Sequence, residues 1–165
     1  MKPVVDPESA EAFWDARYAH ARVYGTAPTS VARHLVAVFR THGVQRILEA
    51  GCGSGRDALF YAGEGFQVTG TEISENALRW VRERTQAEGL RMTLLRDNLA
   101  ETRLPPGSFD AAVAIHLIHL QLAPVRRSMV NQLWHLTRDG GLIAMANYSV
   151  QEAGFATWEP YPEPN

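Results

Sequence analysis

The stretch ILEAGCGSGRDALFYAGEGFQVTGTEIS, residues 47–74, decides the fold. It opens as an apolar run, breaks at the alternate glycines Gly51, Gly53 and Gly55, resumes with helical periodicity to about residue 63, and ends in a second strand-like run that closes on Glu72. A strand, a glycine turn and a helix in immediate succession predict a βα unit whose helix crosses over to a parallel neighbour. Glycines at such a turn let the backbone adopt positive φ and let a ligand approach the main chain with no Cβ in the way.

The same rhythm continues outward. Strand-like runs at 46–50, 66–72, 91–96, 109–115 and 141–147 are separated by helical stretches at about 54–63, 75–88 and 124–138, which predicts an α/β domain with a parallel sheet. The link DNLAETRLPPGS, residues 97–108, lacks helical spacing and reads as a loop with one short turn. Ahead of the first strand, residues 7–21 read as a short helix carrying Phe13, Trp14 and Tyr18 on roughly one face, and SVARHLVAVFRT, 30–41, as a second helix stopped at Gly43. One domain over 1–165 is expected: a helical cap to residue 43, a ligand-binding core over 44–148 and an irregular tail over 149–165.

Composition narrows the partners. With 45% hydrophobic residues, a formal charge of −2 and Lys2 as the sole lysine, the chain reads as an ordinary globular protein without the basic stripe of a nucleic-acid binder. The apolar run 111–122 is interrupted by His116, His119 and Gln121 and is too short for a bilayer, so no membrane partner is expected. The opening residues lack a signal-peptide core, and Cys52 is the sole cysteine; both point to a cytoplasmic protein.

Spacing separates the ligands that such a turn can serve. A dinucleotide fingerprint places its third glycine where this chain has Arg56, which disfavours a nicotinamide-dependent oxidoreductase, and no Gly-Lys-Ser/Thr closes a P-loop. Glu49, in the strand ahead of the turn, would repel a pyrophosphate but suits an ammonium or sulfonium charge.

The ordered set E-A-G-C-G-S-G-R-D, V-T-G-T-E-I-S, L-L-R-D-N and F-D-A-A-V-A-I-H-L-I-H-L resembles the class I S-adenosylmethionine-dependent methyltransferases. F-W-D-A-R-Y near the start is similar to the opening of the thiopurine and tellurite-resistance branch. The resemblance implies a three-layer Rossmann-like sandwich with a mostly parallel sheet of order 3-2-1-4-5, S-adenosylmethionine as cofactor with S-adenosylhomocysteine as product, and in-line methyl transfer to a small-molecule acceptor. It places Glu49, Gly51, Cys52 and Gly53 around the methionine portion, Glu72 at the ribose hydroxyls, Ile73 on the adenine, and Asp97 at the adenine amino group with Asn98 and Leu99 beside it. Ala114, Ile115 and His116 then line the methyl-donor end. Trp14, Arg17 and Tyr18 serve as a lid over the cofactor or simply as core; the resemblance favours the lid, with Arg17 and the loop 24–30 at the cofactor carboxylate.

His116 and His119 are the candidate general bases, with pocket lining as the alternative; a metal role lacks a third ligand. Cys52 is expected to act through its main chain rather than its thiol. The family's C-terminal antiparallel strands find no counterpart in the sequence, so five strands are expected, with the fifth at an exposed edge that invites homodimer formation. For the same reason a cofactor-binding module without turnover is the competing reading.

Overall fold

A computed structural model describes residues 7–20 and 24–149. The expected tail falls almost wholly outside these residues. The elements run α1 (Pro7–Tyr18), α2 (Ser30–Thr41), β1 (Arg46–Ala50), α3 (Arg56–Gly63), β2 (Gln67–Glu72), α4 (Glu75–Glu88), β3 (Thr93–Arg96), β4 (Phe109–Ile115), a 3-10 turn (Ile118–Leu120), α5 (Ala123–Leu136) and β5 (Thr137–Ala146). The five strands form one sheet of order β3-β2-β1-β4-β5, and every pairing in it is parallel. This is the Rossmann-like order expected. The chain reverses direction across the sheet between β1 and β4, which is where an open α/β sheet has its ligand crevice.

Side chains alternating along each strand build two cores. Ile47, Val68, Ala111 and Val113 face α2 and α3, meeting Val36, Phe39, Ala58 and Tyr61. Leu48, Ala50, Ala112 and Ala114 face α5, meeting Met129, Leu133 and Leu136. Each large apolar side chain fully buried this way stabilises the fold by roughly 1.5–3 kcal/mol. Three layers result, helix on sheet on helix.

The helix boundaries have local causes. Thr29 accepts from Ala32 N ahead of α2, Ser74 accepts from Ala77 N ahead of α4, and Gly89 ends α4 in the left-handed region at φ 65°. At the opposite end of the sheet from the crevice, the Asp110 carboxylate accepts from Gln45 N, Arg46 N, the Arg46 guanidinium and Arg138 Nε. Burial alone would raise its pKa; these bonds hold it well below the usual carboxylate range.

The fifth strand begins differently from its expected start at Gly141. Thr137 already pairs with Phe109, the register then shifts, and the regular ladder resumes at Leu142 opposite Ala111. The intervening R-D-G-G forms an irregularity whose Arg138 is held by Asp110. No described helix is long and apolar enough to cross a membrane.

Candidate functional site

The crevice is built at the C-terminal ends of adjacent strands, and the glycine turn is its floor. Gly51, Gly53 and Gly55 all have positive φ, at 64°, 54° and 82°. The turn is anchored by its main chain: Cys52 N donates to Thr71 O, and Gly55 N to Cys52 O. Cys52 itself is buried, and its thiol pKa is pushed well up, by burial first and then by the nearby Glu72 and Glu49 carboxylates. Its thiol is thus packed away while its main chain makes the contacts of the turn.

Two side chains lie directly over this floor. A Cβ on Gly51 would sit 2.8 Å from Leu117 Cδ1, and one on Gly53 would sit 2.6 Å from the Tyr18 hydroxyl. The first contact comes from the segment after β4, the second from α1. Trp14 and Tyr18 are both buried and pack with Leu120, Ala77, Phe13 and Ile73 in a third apolar cluster. Helix α1 thus forms a cap over the glycine turn whose aromatics make a small core.

The cap is fastened by polar contacts that sequence reasoning missed. Asp15 Oδ1 accepts from Asn76 N and Ser74 Oγ, and Oδ2 accepts from Asn76 Nδ2, so α1 supplies a carboxylate to the N-terminus of α4. Trp80 Nε1 donates to Tyr18 O, and Arg96 pairs with Glu11. A helix from about residue 75 was expected, but nothing local marks Asp15 as the partner of its first turn.

Arg17 is exposed, with its guanidinium 6.0 Å from the Phe13 ring centroid. A different arginine stands at the turn. Arg56 Nη1 donates to Tyr24 O, while the Asp57 carboxylate accepts from Thr29 N and Thr29 Oγ1, so the R-D following the glycines ties down the loop 24–30.

Three carboxylates stand in a row at the ends of β1, β2 and β3. Glu49 precedes the last residue of β1, Glu72 ends β2, and Asp97 follows β3, with its N–H donating to Glu72 O. Neighbouring strands lie about 4.8 Å apart, so the row spans roughly 10 Å. Glu72 is buried and heavily used: Oε1 accepts from Ile73 N and Ser74 N, Oε2 from Gly53 N. The expected ribose acceptor is thus also the staple joining the glycine turn to the start of α4, with about one of its four acceptor positions to spare. Burial raises its pKa, opposed by those N–H donors.

Glu49 Oε2 and Asp97 Oδ2 are buried without a hydrogen-bond partner. Burial, then the Asp57 charge, pushes the Glu49 pKa well above the carboxylate range, with Arg56 opposing. Buried acceptors in this state are costly unless a donor arrives. Beside Asp97, Asn98 caps its own turn by accepting from Ala100 N, and Leu99 is buried among the residues facing α5. Ile73 joins the cap cluster, and Ile115 packs against the core beneath.

At the other end, β4 runs into His116, whose φ of 56° makes it the only non-glycine residue with positive φ among those described. Its ring stacks on Tyr148 at 4.4 Å, and His119 meets the same Tyr148 ring edge-on at 5.3 Å. His116 Nδ1 is buried without a partner. Burial lowers the pKa of both histidines, aided at His116 by the Arg56 charge and resisted at His119 by its bond to Asn147. Both are therefore predominantly neutral at pH 7 and able to accept a proton. The sequence named both histidines; Tyr148 and Asn147 were missed because only folding brings the end of β5 beside the end of β4.

The row of acceptors fits a ligand that brings donors and positive charge. Residues 47–141, more than half of the chain, match the family model described as a methyltransferase domain. A protein of Geobacillus sp. (strain WCH70) named as a methyltransferase is 28% identical over 134 residues, covering 80% of this chain and 53% of its own. The methyltransferase GfsG of Streptomyces halstedii is 33% identical over 110 residues, covering 64% of this chain and 38% of its own. The chain therefore spans about half the length, or less, of these curated relatives. Among solved structures, magnesium protoporphyrin IX methyltransferase of Synechocystis PCC 6803 with bound S-adenosylmethionine superposes with a TM-score of 0.63 at 19% identity, covering 83% of this chain and 74% of its own. The fold, the glycine turn and the family match converge: this chain belongs to the methyltransferase-domain family, whose cofactor is S-adenosylmethionine.

Proposed function

We propose that the protein transfers a methyl group from S-adenosylmethionine to a small-molecule acceptor. The observation that carries this reading is the row of carboxylates across three strand ends, with Glu49 Oε2 and Asp97 Oδ2 buried and unpartnered. In this reading Glu49 faces the ammonium of the methionine portion, the remaining acceptor capacity of Glu72 takes a ribose hydroxyl, and Asp97 takes the adenine amino group. Gly51, Cys52 and Gly53 give main-chain room beside it, Ile73 and Asn98 flank the base, and Trp14 and Tyr18 exclude water from above. Arg56, already at the loop 24–30, is better placed than Arg17 for the cofactor carboxylate.

When bound, the cofactor supplies a methyl group already activated on a sulfonium. What remains for the chain is alignment and exclusion of water, with transfer in line along the acceptor–methyl–sulfur axis. His116 and His119 stand at the end of β4 as the candidate bases. The W-D-x-R-Y opening supports kinship with the thiopurine and tellurite-resistance branch through the construction of the cap, and says nothing of the acceptor. We also propose a homodimer through the edge of β5, which pairs only with β4 among the described strands and exposes Met145.

Calorimetric titration with S-adenosylmethionine, S-adenosylhomocysteine and NAD tests the cofactor, and transfer of labelled methyl to phenols, amines, thiols and metalloid oxyanions tests the activity. Both adenosyl ligands are expected to bind and NAD not to. Binding of NAD with no binding of either adenosyl ligand overturns the reading. Binding without turnover on any acceptor favours a cofactor-binding module.

A further inference from the structure

We infer that the Tyr61 hydroxyl is the hydrogen-bond donor held ready for the Glu49 carboxylate: it turns onto Oε2 when a cationic ligand ionises Glu49, which makes Tyr61 a positioning residue for the cofactor's positive charge. This deepens the methyl-transfer reading and rests on it for the identity of the cation, though not for the pairing of the two side chains.

Two buried polar atoms of complementary kind carry the inference. Glu49 Oε2 and the Tyr61 hydroxyl are both buried without a hydrogen-bond partner. An ionised carboxylate only accepts, whereas a phenol can donate, and its O–H rotates to suit. A buried phenol oxygen with no partner is costly, and a phenylalanine would fill the same space without that cost. The hydroxyl therefore calls for a use.

The fold directs each group to the other. Glu49 lies two residues beyond Ile47 on β1, so both face α3, about 7 Å apart along the strand. Tyr61 packs in the same cluster as Ile47, against Phe39. Helix α3 runs back from the glycine turn, and helical side chains lean toward their own N-terminus, which here is the crevice end. From a place in the Ile47 cluster the phenol is thus aimed toward Glu49. The charges that act on it agree: after burial, Glu49 raises the Tyr61 pKa most and Asp57 next. Asp57 already has its donors, with Thr29 N on Oδ1 and Thr29 Oγ1 on Oδ2. The strand partners of Glu49 are Gly70 on β2 and Val113 on β4, neither with a polar side chain, and the turn presents the buried Cys52 thiol. Of the charges on Glu49 itself, Asp57 opposes its ionisation and Arg56 favours it, both from α3. While Glu49 holds its proton the phenol has no carboxylate to serve. When an ammonium or sulfonium group binds, Glu49 releases that proton to solvent and the Tyr61 O–H turns to Oε2, with the remaining lone pairs left to the cation.

The Glu49 titration is read in the ligand-free protein by 13C NMR of the side-chain carboxyl carbons, with Glu49→Gln identifying its resonance by removing it. Tyr61→Phe is expected to raise that titration by about one pH unit. The variant keeps the ring and loses an unpartnered hydroxyl, so its ligand-free melting temperature is expected to equal or exceed that of the wild type. By calorimetry, the pH profile of S-adenosylmethionine affinity should move upward by about one pH unit. Binding is then about tenfold weaker on the rising limb and converges with the wild type at higher pH. In a Glu49→Gln background, Tyr61→Phe is expected to leave the affinity unchanged. A lowered melting temperature with an unmoved Glu49 titration would mark a packing role and overturns the inference, as does an equal loss of affinity in the glutamine background. Failure of the methyl-transfer reading would appear separately, as no binding of S-adenosylmethionine, with the 13C titration still deciding the pairing.

Discussion

The Tyr18 hydroxyl occupies the place that a Cβ on Gly53 would need, 2.6 Å from it. The cap and the glycine turn are therefore fitted to each other at a single atom. Gly53→Ala must resolve both this overlap and a φ of 54°, which costs a non-glycine residue about 1 kcal/mol by itself. The expected outcome is a raised cap and a loss of at least about tenfold in S-adenosylmethionine affinity by calorimetry. Adding Tyr18→Phe removes the clashing oxygen and should recover part of that loss, leaving the backbone strain. Equal affinity of the single and double variants would show that the two residues are not coupled.

Asp15 fastens the same cap from its other side. Removing its carboxylate in Asp15→Ala leaves Asn76 N and Ser74 Oγ at the start of α4 without their partner. Loss of a helix cap of this kind costs about 1 kcal/mol. Hydrogen exchange should accelerate in α1 while the amides of β1 and β4 stay protected. The Asn76 main-chain bond holds the Asp15 carboxyl below its ordinary pKa, against burial, with Ser74 and Arg96 assisting. Its contribution is thus present above the ordinary aspartate value of 3.8 and fades as pH falls through the depressed one, so cap exchange should quicken on acidification before the core melts.

Sequence-local chemistry accounts for what could be read in advance. The strand–glycine–helix succession at 46–63 depends on periodicity and on glycine's freedom, both local; the sheet order came from the family resemblance, which also pointed to Glu49, Glu72 and Asp97, and the structure places each of these at or near a strand end. What escaped was long-range. Asp15 meets Asn76 across 61 residues, His119 meets Asn147 across 28, and Arg138 reaches back 28 residues to Asp110, drawing the start of β5 ahead of its expected residue. Arg17 illustrates the same limit from the other direction: its charge was evident, but only the folded helix sets its guanidinium over the Phe13 ring.

The edge of β5 supplies a test of assembly. Leu142, Ile143 and Ala144 are only half-buried, and Met145 is 48% exposed on a strand with one hydrogen-bonded neighbour among those described. Pairing of two such edges would satisfy their main-chain groups and cover the methionine. Sedimentation equilibrium is expected to show a concentration-dependent dimer, and Met145→Lys to shift it toward monomer. A wild-type monomer at every concentration, with the β5 amides protected, removes the dimer.

Glu49 gives the sharpest pH dependence. Its folded pKa lies well above 4.5, so the folded protein holds a proton that the unfolded chain releases. The stability associated with that proton is complete below pH 4.5 and declines as pH rises toward the folded value. Glu49→Gln keeps the shape and cannot ionise, so the ligand-free variant should gain melting temperature over wild type as pH is raised from 5 to 8, with little difference at the acid end. Binding should respond in the opposite sense. An ammonium or sulfonium group favours the ionised carboxylate, so S-adenosylmethionine affinity in the wild type should strengthen with pH and be accompanied by proton release, seen as a buffer-dependent calorimetric enthalpy. Glu49→Gln should abolish that proton release and weaken binding by about tenfold or more, because a neutral amide cannot answer the cation. A variant that still releases a proton on binding would place the titrating group elsewhere and separate Glu49 from the cofactor's positive charge.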